Sequence, residues 1–164
     1  MKNTIIIGVL AITALALIAL MSTGANTPTP NNTTPTEDVI AQATIYKSPS
    51  CDCCSGYAAH LRDEGYGVDV VPTRDMSVVK AEHGIPYEVE SCHTMEIAGY
   101  VVEGHVPEVA VNKLITEQPD ITGIGMAGMP SGSPGMPGPQ NAPFVVYEIN
   151  HNGTQGEVYM TISN

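Results

Sequence analysis

Apolar positions fall into two regimes along the chain. Residues 5–21 form a run of 17 residues broken only by Gly8 and Thr13, with Lys2 ahead of it and Ser22, Thr23, Gly24 and Ala25 behind. A cationic start, an apolar stretch and a small-residue stop make a secretory signal, with cleavage expected after Ala25. The run also reaches the length of about 17 residues at which a helix can span a bilayer, so an uncleaved anchor is the other reading. Either way residues 1–25 are an export segment, and the rest of the chain is expected in the periplasm or elsewhere outside the cytoplasm. Residues 27–36 are Thr, Asn and Pro throughout. With nothing to bury, residues 26–38 are expected to be a disordered linker.

From residue 39 onward the apolar blocks are short and periodic. Residues 43–47, closed by Ser48-Pro49, predict a strand. Over residues 53–63, Tyr57, His60 and Leu61 share one face and Gly65 follows, which predicts a helix. Residues 68–71 predict a second strand, residues 76–82 a short helix ended by Gly84, and residues 97–102 a third strand. Pro107 opens another helix with Ala110, Val111, Leu114 and Ile115 on its apolar face. Residues 123–143 hold six Gly and five Pro and read as loop; residues 144–149 and 155–162 flank Asn150-His151-Asn152-Gly153-Thr154 as a hairpin. The alternation predicts an α/β domain over residues 39–164, with a mixed sheet, flanking helices and a C-terminal β-hairpin. A domain of this size buries roughly 65% of the unfolded chain's surface, enough for a core without disulfide staples.

Charge narrows the function. Six Lys and Arg stand against 17 Asp and Glu, a net charge of -11, with no basic stripe to neutralise a phosphate backbone. Nucleic acid is excluded as a partner. No Ser/His/Asp order or paired-carboxylate motif stands out, and the Gly-rich stretch lacks the Lys-Ser/Thr ending of a phosphate loop.

The chemistry is in the sulfur. Cys51-Asp52-Cys53-Cys54 follows a strand and opens a helix, where orphan N–H groups and the helix dipole favour thiolate over thiol, opposed locally by Asp52. Cys51 and Cys54 alone have redox spacing, but Cys53 makes a third thiol. The fourth, Cys92, lies 38 residues after Cys54 and precedes His93-Thr94. A purely structural disulfide framework fits poorly, because three thiols in four residues have one distant partner among them; one pair would have to be local. Zinc usually takes two paired knuckles, whereas clustered thiolates suit Cu(I), a soft ion whose Cys ligands can bridge metals. Met126, Met129 and Met136 lie in the Gly/Pro loop. Each is either a soft thioether donor or an apolar plug. Met129 is the one assigned to the metal; Met136, between Gly135 and Pro137, is read as a plug. His60 and His105 are read as structural histidines, and His83 and His151 as turn residues.

Lys47-Ser48-Pro49-Ser50-Cys51-Asp52-Cys53-Cys54, His60-Leu61, Ser91-Cys92-His93-Thr94, Gly99-Tyr100-Val101-Val102-Glu103-Gly104-His105-Val106-Pro107 and the loop from Gly128-Met129-Pro130 to Gly135-Met136 resemble, in order and spacing, the CopG-type copper-resistance family. The resemblance covers about residues 43–139. It implies a thioredoxin-like fold, export, and copper held by Cys51, Cys53, Cys54 and Cys92, with His93 beside them and a redox role in detoxification. Asp52 stands where the family commonly has Gly, and Tyr57 where it often has Trp. The combined expectation is an exported protein holding Cu(I) in a multinuclear thiolate cluster at Cys51, Cys53, Cys54, Cys92, His93 and Met129. Its expected partners are copper ions and other periplasmic copper-handling proteins, with the membrane touched only through residues 1–25. The alternative is a thiol-disulfide oxidoreductase using Cys51 and Cys54, with Cys92 as resolving thiol.

Overall fold

A computed structural model describes residues 39–163, so the expected export segment and linker lie outside the described residues. The elements run β1 (Gln42–Lys47), α1 (Asp52–Asp63), β2 (Gly67–Pro72), α2 (Met76–Glu82), a 3-10 turn (Tyr87–Val89), β3 (His93–Ile97), β4 (Tyr100–Glu103), α3 (Glu108–Glu117), β5 (Gly123–Gly125), β6 (Phe144–Ile149) and β7 (Gln155–Ile162). They build one seven-stranded mixed sheet in the order β2-β1-β3-β4-β5-β6-β7. β1 and β2 pair in parallel, as the α1 crossover requires, and β3 runs antiparallel to both β1 and β4. That four-stranded portion is the thioredoxin-like arrangement; β5 to β7 extend it.

Successive strand residues face opposite sides of the sheet, so one strand serves two cores. Val102 packs with Ile45, Met95, Ile97 and Ile124 beneath Tyr57, Ala58 and Leu61 of α1 and Ala110, Val111 and Leu114 of α3. Its neighbour Val101 joins Ile85, Val89 and Ile149 in a smaller cluster on the other face. Each fully buried Leu or Ile contributes about 1.5–3 kcal/mol, so the larger cluster dominates the stability of the fold.

Two sequence expectations need correction. Residues 97–102 are not one strand but the hairpin between β3 and β4, with Ile97 paired to Tyr100. Ala98 and Gly99 both have positive φ, 50° and 86°, as a tight two-residue turn demands. Ala is a poor signal for such a turn, and the apolar pattern runs through it. The stretch beginning at Gly123 is not all loop either, because Gly123–Gly125 is a strand parallel to β4. Gly123 lies so close to its neighbour that a Cβ there would sit 1.8 Å from the Val101 carbonyl oxygen. Glycine permits close strand approach here, although its composition reads as loop. The C-terminal hairpin is as expected, with irregular register between Val146 and Ile149.

Candidate metal centre

The first wall of the site is the start of α1. Cys51 is the N-cap, with extended backbone, and its sulfur accepts from the Cys54 N–H at 3.4 Å. The helix begins at Asp52, one residue earlier than the pattern suggests. Cys51 and Cys54 are joined in a disulfide, the local i to i+3 pair, while Cys53 and Cys92 are free. Cys53 Sγ is 3.4 Å from Cys51 Sγ.

The second wall comes from distant sequence. Cys92 sits just before β3, and its pairing with β1 and β4 carries that strand's start to the head of α1. Cys92 Sγ lies 3.3 Å from Cys54 Sγ. The sulfurs of Cys51, Cys53, Cys54 and Cys92 all lie within 4.8 Å of one another, as do the donor atoms of Cys54, Cys92, His93 and His105. Two overlapping four-donor groups therefore share the Cys54 and Cys92 edge.

His105 is the residue that the sequence reading misses. Its Nδ1 is 2.7 Å from the Pro134 carbonyl and so carries the proton, which satisfies the structural role expected of it. That bond leaves Nε2 unprotonated and accepting from the Cys92 thiol at 3.1 Å, a tautomer whose lone pair a metal would take in place of that proton. The available signal is its position two residues after the end of β4 at Glu103, in the family-like segment Gly99 to Pro107 that follows the one bearing Cys92. His93 is fully buried, with Nδ1 3.6 Å from Cys92 Sγ and Nε2 without a hydrogen-bond partner among the described residues. Tyr57 packs its ring 4.6 Å from that of His93 and 5.5 Å from that of His105.

Electrostatics follow from burial. Desolvation pushes the His93 imidazole down to about 3, helped by the neighbouring His105 and Lys80, so it is neutral at physiological pH. Desolvation also lowers His105. The Cys92 thiol is pushed up to about 11, by burial first and then by nearby Cys53. A soft cation could reverse that penalty by displacing the proton.

The Gly/Pro loop closes over the sulfur. Gly135 lies against α1 so tightly that a Cβ would meet Tyr57 N at 2.4 Å and Cys53 O at 2.7 Å. Met129 Sδ is 4.0 Å from Cys53 Sγ, and its side chain is half exposed. Met126 is buried in the main core, which makes it a plug; Met136 is partly buried. A cleft of about 490 Å³ lined by Tyr87, Glu88, Glu90, Cys92 and Met129 leads in from solvent. The remaining histidines lie elsewhere: His60 pairs with Glu108 at 3.0 Å, His83 bridges Val79 and Glu96, and His151 bridges Asp120 and Thr122.

A thioredoxin-like domain whose helix-start cysteines face a Cys/His wall under a Met-bearing loop falls in the class of cysteine-based metal-binding proteins. Residues 89–136 match the family model described as "Protein of unknown function, DUF411". No curated protein matches the chain. Two solved structures, copper resistance protein copG in form 2 and form 1, are 35% identical to it. Each covers 75% of this chain and 98% of its own, with TM-scores of 0.69 and 0.68. The chain belongs to the CopG-type copper-resistance family.

Proposed function

We propose that this protein, exported through its N-terminal 25 residues, holds Cu(I) as cargo in a multinuclear thiolate cluster and so limits copper toxicity outside the cytoplasm. One observation carries the reading: four sulfurs from two segments 38 residues apart converge within 4.8 Å, with two neutral imidazoles on the same edge. Four sulfurs and two imidazoles make six donors, two more than one tetrahedral ion needs, and thiolates can bridge, which soft Cu(I) accepts. Zinc would be satisfied by Cys54, Cys92, His93 and His105 alone. Cys53 and the Met129 thioether add further soft donors, which favours copper.

Copper loading requires the reduced chain. An external dithiol supplies the two electrons and two protons that open the Cys51–Cys54 disulfide to thiols, itself becoming a disulfide, and the metal then displaces protons from the cysteines. The family names of the structural relatives support copper as the cargo, and handover to other copper-handling proteins would use the cleft beside Cys92 and Met129.

The disulfide itself favours a second reading, thiol-disulfide exchange. Attack by a Cys92 thiolate on Cys54 sulfur would form a Cys54–Cys92 bond and release Cys51 as thiolate. The raised Cys92 pKa works against this, since so little thiolate is present near neutral pH. Anaerobic Cu(I) titration of the full-length chain against a calibrated chelator separates the two. The reduced chain is expected to bind more than one Cu(I), and the disulfide form fewer. Saturation at one ion in both forms would remove the cluster.

A further inference from the structure

Cys92 lies outside any helix or strand, and so does Met129, yet both must hold position to meet α1. Next to them is a polar group that the copper reading leaves unused. Glu103, the last residue of β4, is completely buried. Its Oε1 accepts from the Lys80 ammonium and from the Ser91 backbone N–H at 2.6 Å, and its Oε2 accepts from the Thr94 hydroxyl at 2.6 Å. Ser91 precedes Cys92 directly, and its own hydroxyl donates to the carbonyl of Gly128, which precedes Met129. Two backbone bonds run alongside, Gly128 N–H to the Glu90 carbonyl at 3.1 Å and Met126 N–H to the Glu103 carbonyl at 3.0 Å.

We propose that Glu103 is a positioning residue for the copper site: by accepting from Ser91 it fixes the loop that carries Cys92 and, through the Ser91 hydroxyl, the loop that carries Met129. The proposal rests on the copper reading above for its functional meaning and on geometry for its structure. A buried carboxylate with a single Lys partner is a costly way to add stability, since desolvation offsets most of the ion-pair attraction. What an apolar pair could not supply is an acceptor for Ser91 N–H. Without one, that half-buried donor is left unsatisfied or the loop moves until water reaches it. Lys80 then neutralises the carboxylate, and Thr94 fills its second oxygen.

Two paired substitutions in the full-length chain isolate this. Lys80→Met with Glu103→Gln, and Lys80→Met with Glu103→Leu, both remove the ion pair without stranding a charge. They differ in one respect: the Gln carbonyl can still accept from Ser91 while its amide donates to Thr94, and Leu can do neither. With the Cys51–Cys54 disulfide intact, Cys53 and Cys92 are the two free thiols, so site-resolved labelling reads the Cys92 loop directly and, at Cys53, the loop whose Met129 covers it.

The Leu pair is expected to label about tenfold faster at Cys92, consistent with loss of one hydrogen bond to a charged group, and by a smaller factor at Cys53, where only the Met129 cover loosens. After reduction it is expected to bind Cu(I) about 10–100-fold more weakly, the range for lost partners of metal ligands. The Gln pair is expected to restore both to within about threefold of wild type. Equal behaviour of the two pairs at Cys92 would overturn the proposal, because a purely structural ion pair predicts no difference between them beyond thermal stability. Should the Leu pair fail to fold, amide exchange in the unaltered chain decides instead. Ser91 N–H should be protected like a sheet amide, and exchange as fast as an exposed loop would overturn the proposal. Failure of the unaltered reduced chain to bind Cu(I) would strike the copper reading, whereas the labelling contrast is read without copper.

Discussion

The two walls of the sulfur site are built in different ways. Cys51, Cys53 and Cys54 are placed by four consecutive residues at one helix start, and their arrangement needs little beyond the helix itself. Cys92, His93 and His105 are placed by the β3–β4 pairing, by a buried carboxylate and by a carbonyl of the covering loop, contacts that span up to 37 residues. The first wall responds to electrons, because its state is set by the Cys51–Cys54 disulfide. The second responds to protons, because it consists of a reluctant thiol and two desolvated imidazoles. A metal bridging them would couple reduction, deprotonation and binding in one event.

The hardest test of that division removes the sulfur shared by both donor groups on the second wall. Cys92→Ser should cost more than the roughly 10–100-fold in Cu(I) affinity typical of an outer partner, since a ligand itself is lost. Cys53→Ser should lower copper capacity while leaving the fold intact, because neither residue belongs to the hydrophobic core. Chelator competition on the reduced variants checks both. Equal losses at the two positions would erase the distinction between the walls.

Acid should act on the second wall alone. His93 and His105 are neutral in the folded chain, with pKa values held below the ordinary value of about 6.5, whereas in the unfolded chain they protonate normally. Stability from these groups is therefore complete above about pH 6.5 and falls as pH drops through it, by up to about tenfold in the folding equilibrium per pH unit for each His. Denaturant midpoints of the metal-free chain at pH 7.5 and pH 5 should show the decline. A flat profile would mean that the imidazoles are not buried as described.

The smallest effect is expected where the loop meets the first wall. Met129→Leu keeps apolar volume nearly constant and should cost well under about 1.5 kcal/mol, the more so at a half-exposed position. Cu(I) affinity should fall by up to about tenfold if the thioether coordinates or shields the cluster. Equal affinity in the two chains would limit Met129 to covering the cleft.

Legibility in the sequence divides along the same line. The helix start with its cysteines, the two parallel strands around it and the C-terminal hairpin are local patterns, and each lies where the apolar periodicity puts it. Cys92 and His93 were legible as donors only by residue type and motif, since no local rule brings residue 92 to residue 54. His105 escaped because a histidine beside a glycine says nothing of which nitrogen is free; the Pro134 carbonyl, 29 residues away, decides that. Glu103 escaped for a related reason. In sequence it ends an apolar strand like any exposed charge, and only the return of Lys80 and Ser91 across the sheet turns it inward. Glycine misled in one place, at Gly123, where close approach to Val101 and not chain reversal is what it permits.

The most direct test of a cluster joining both walls is copper X-ray absorption on the reduced, Cu(I)-loaded full-length chain. The expected spectrum has a sulfur-dominated inner shell, a minor nitrogen contribution from the imidazoles, and copper–copper scattering from metals that share thiolates. A nitrogen and oxygen shell without sulfur, or a sulfur shell with no copper–copper contribution, would contradict it.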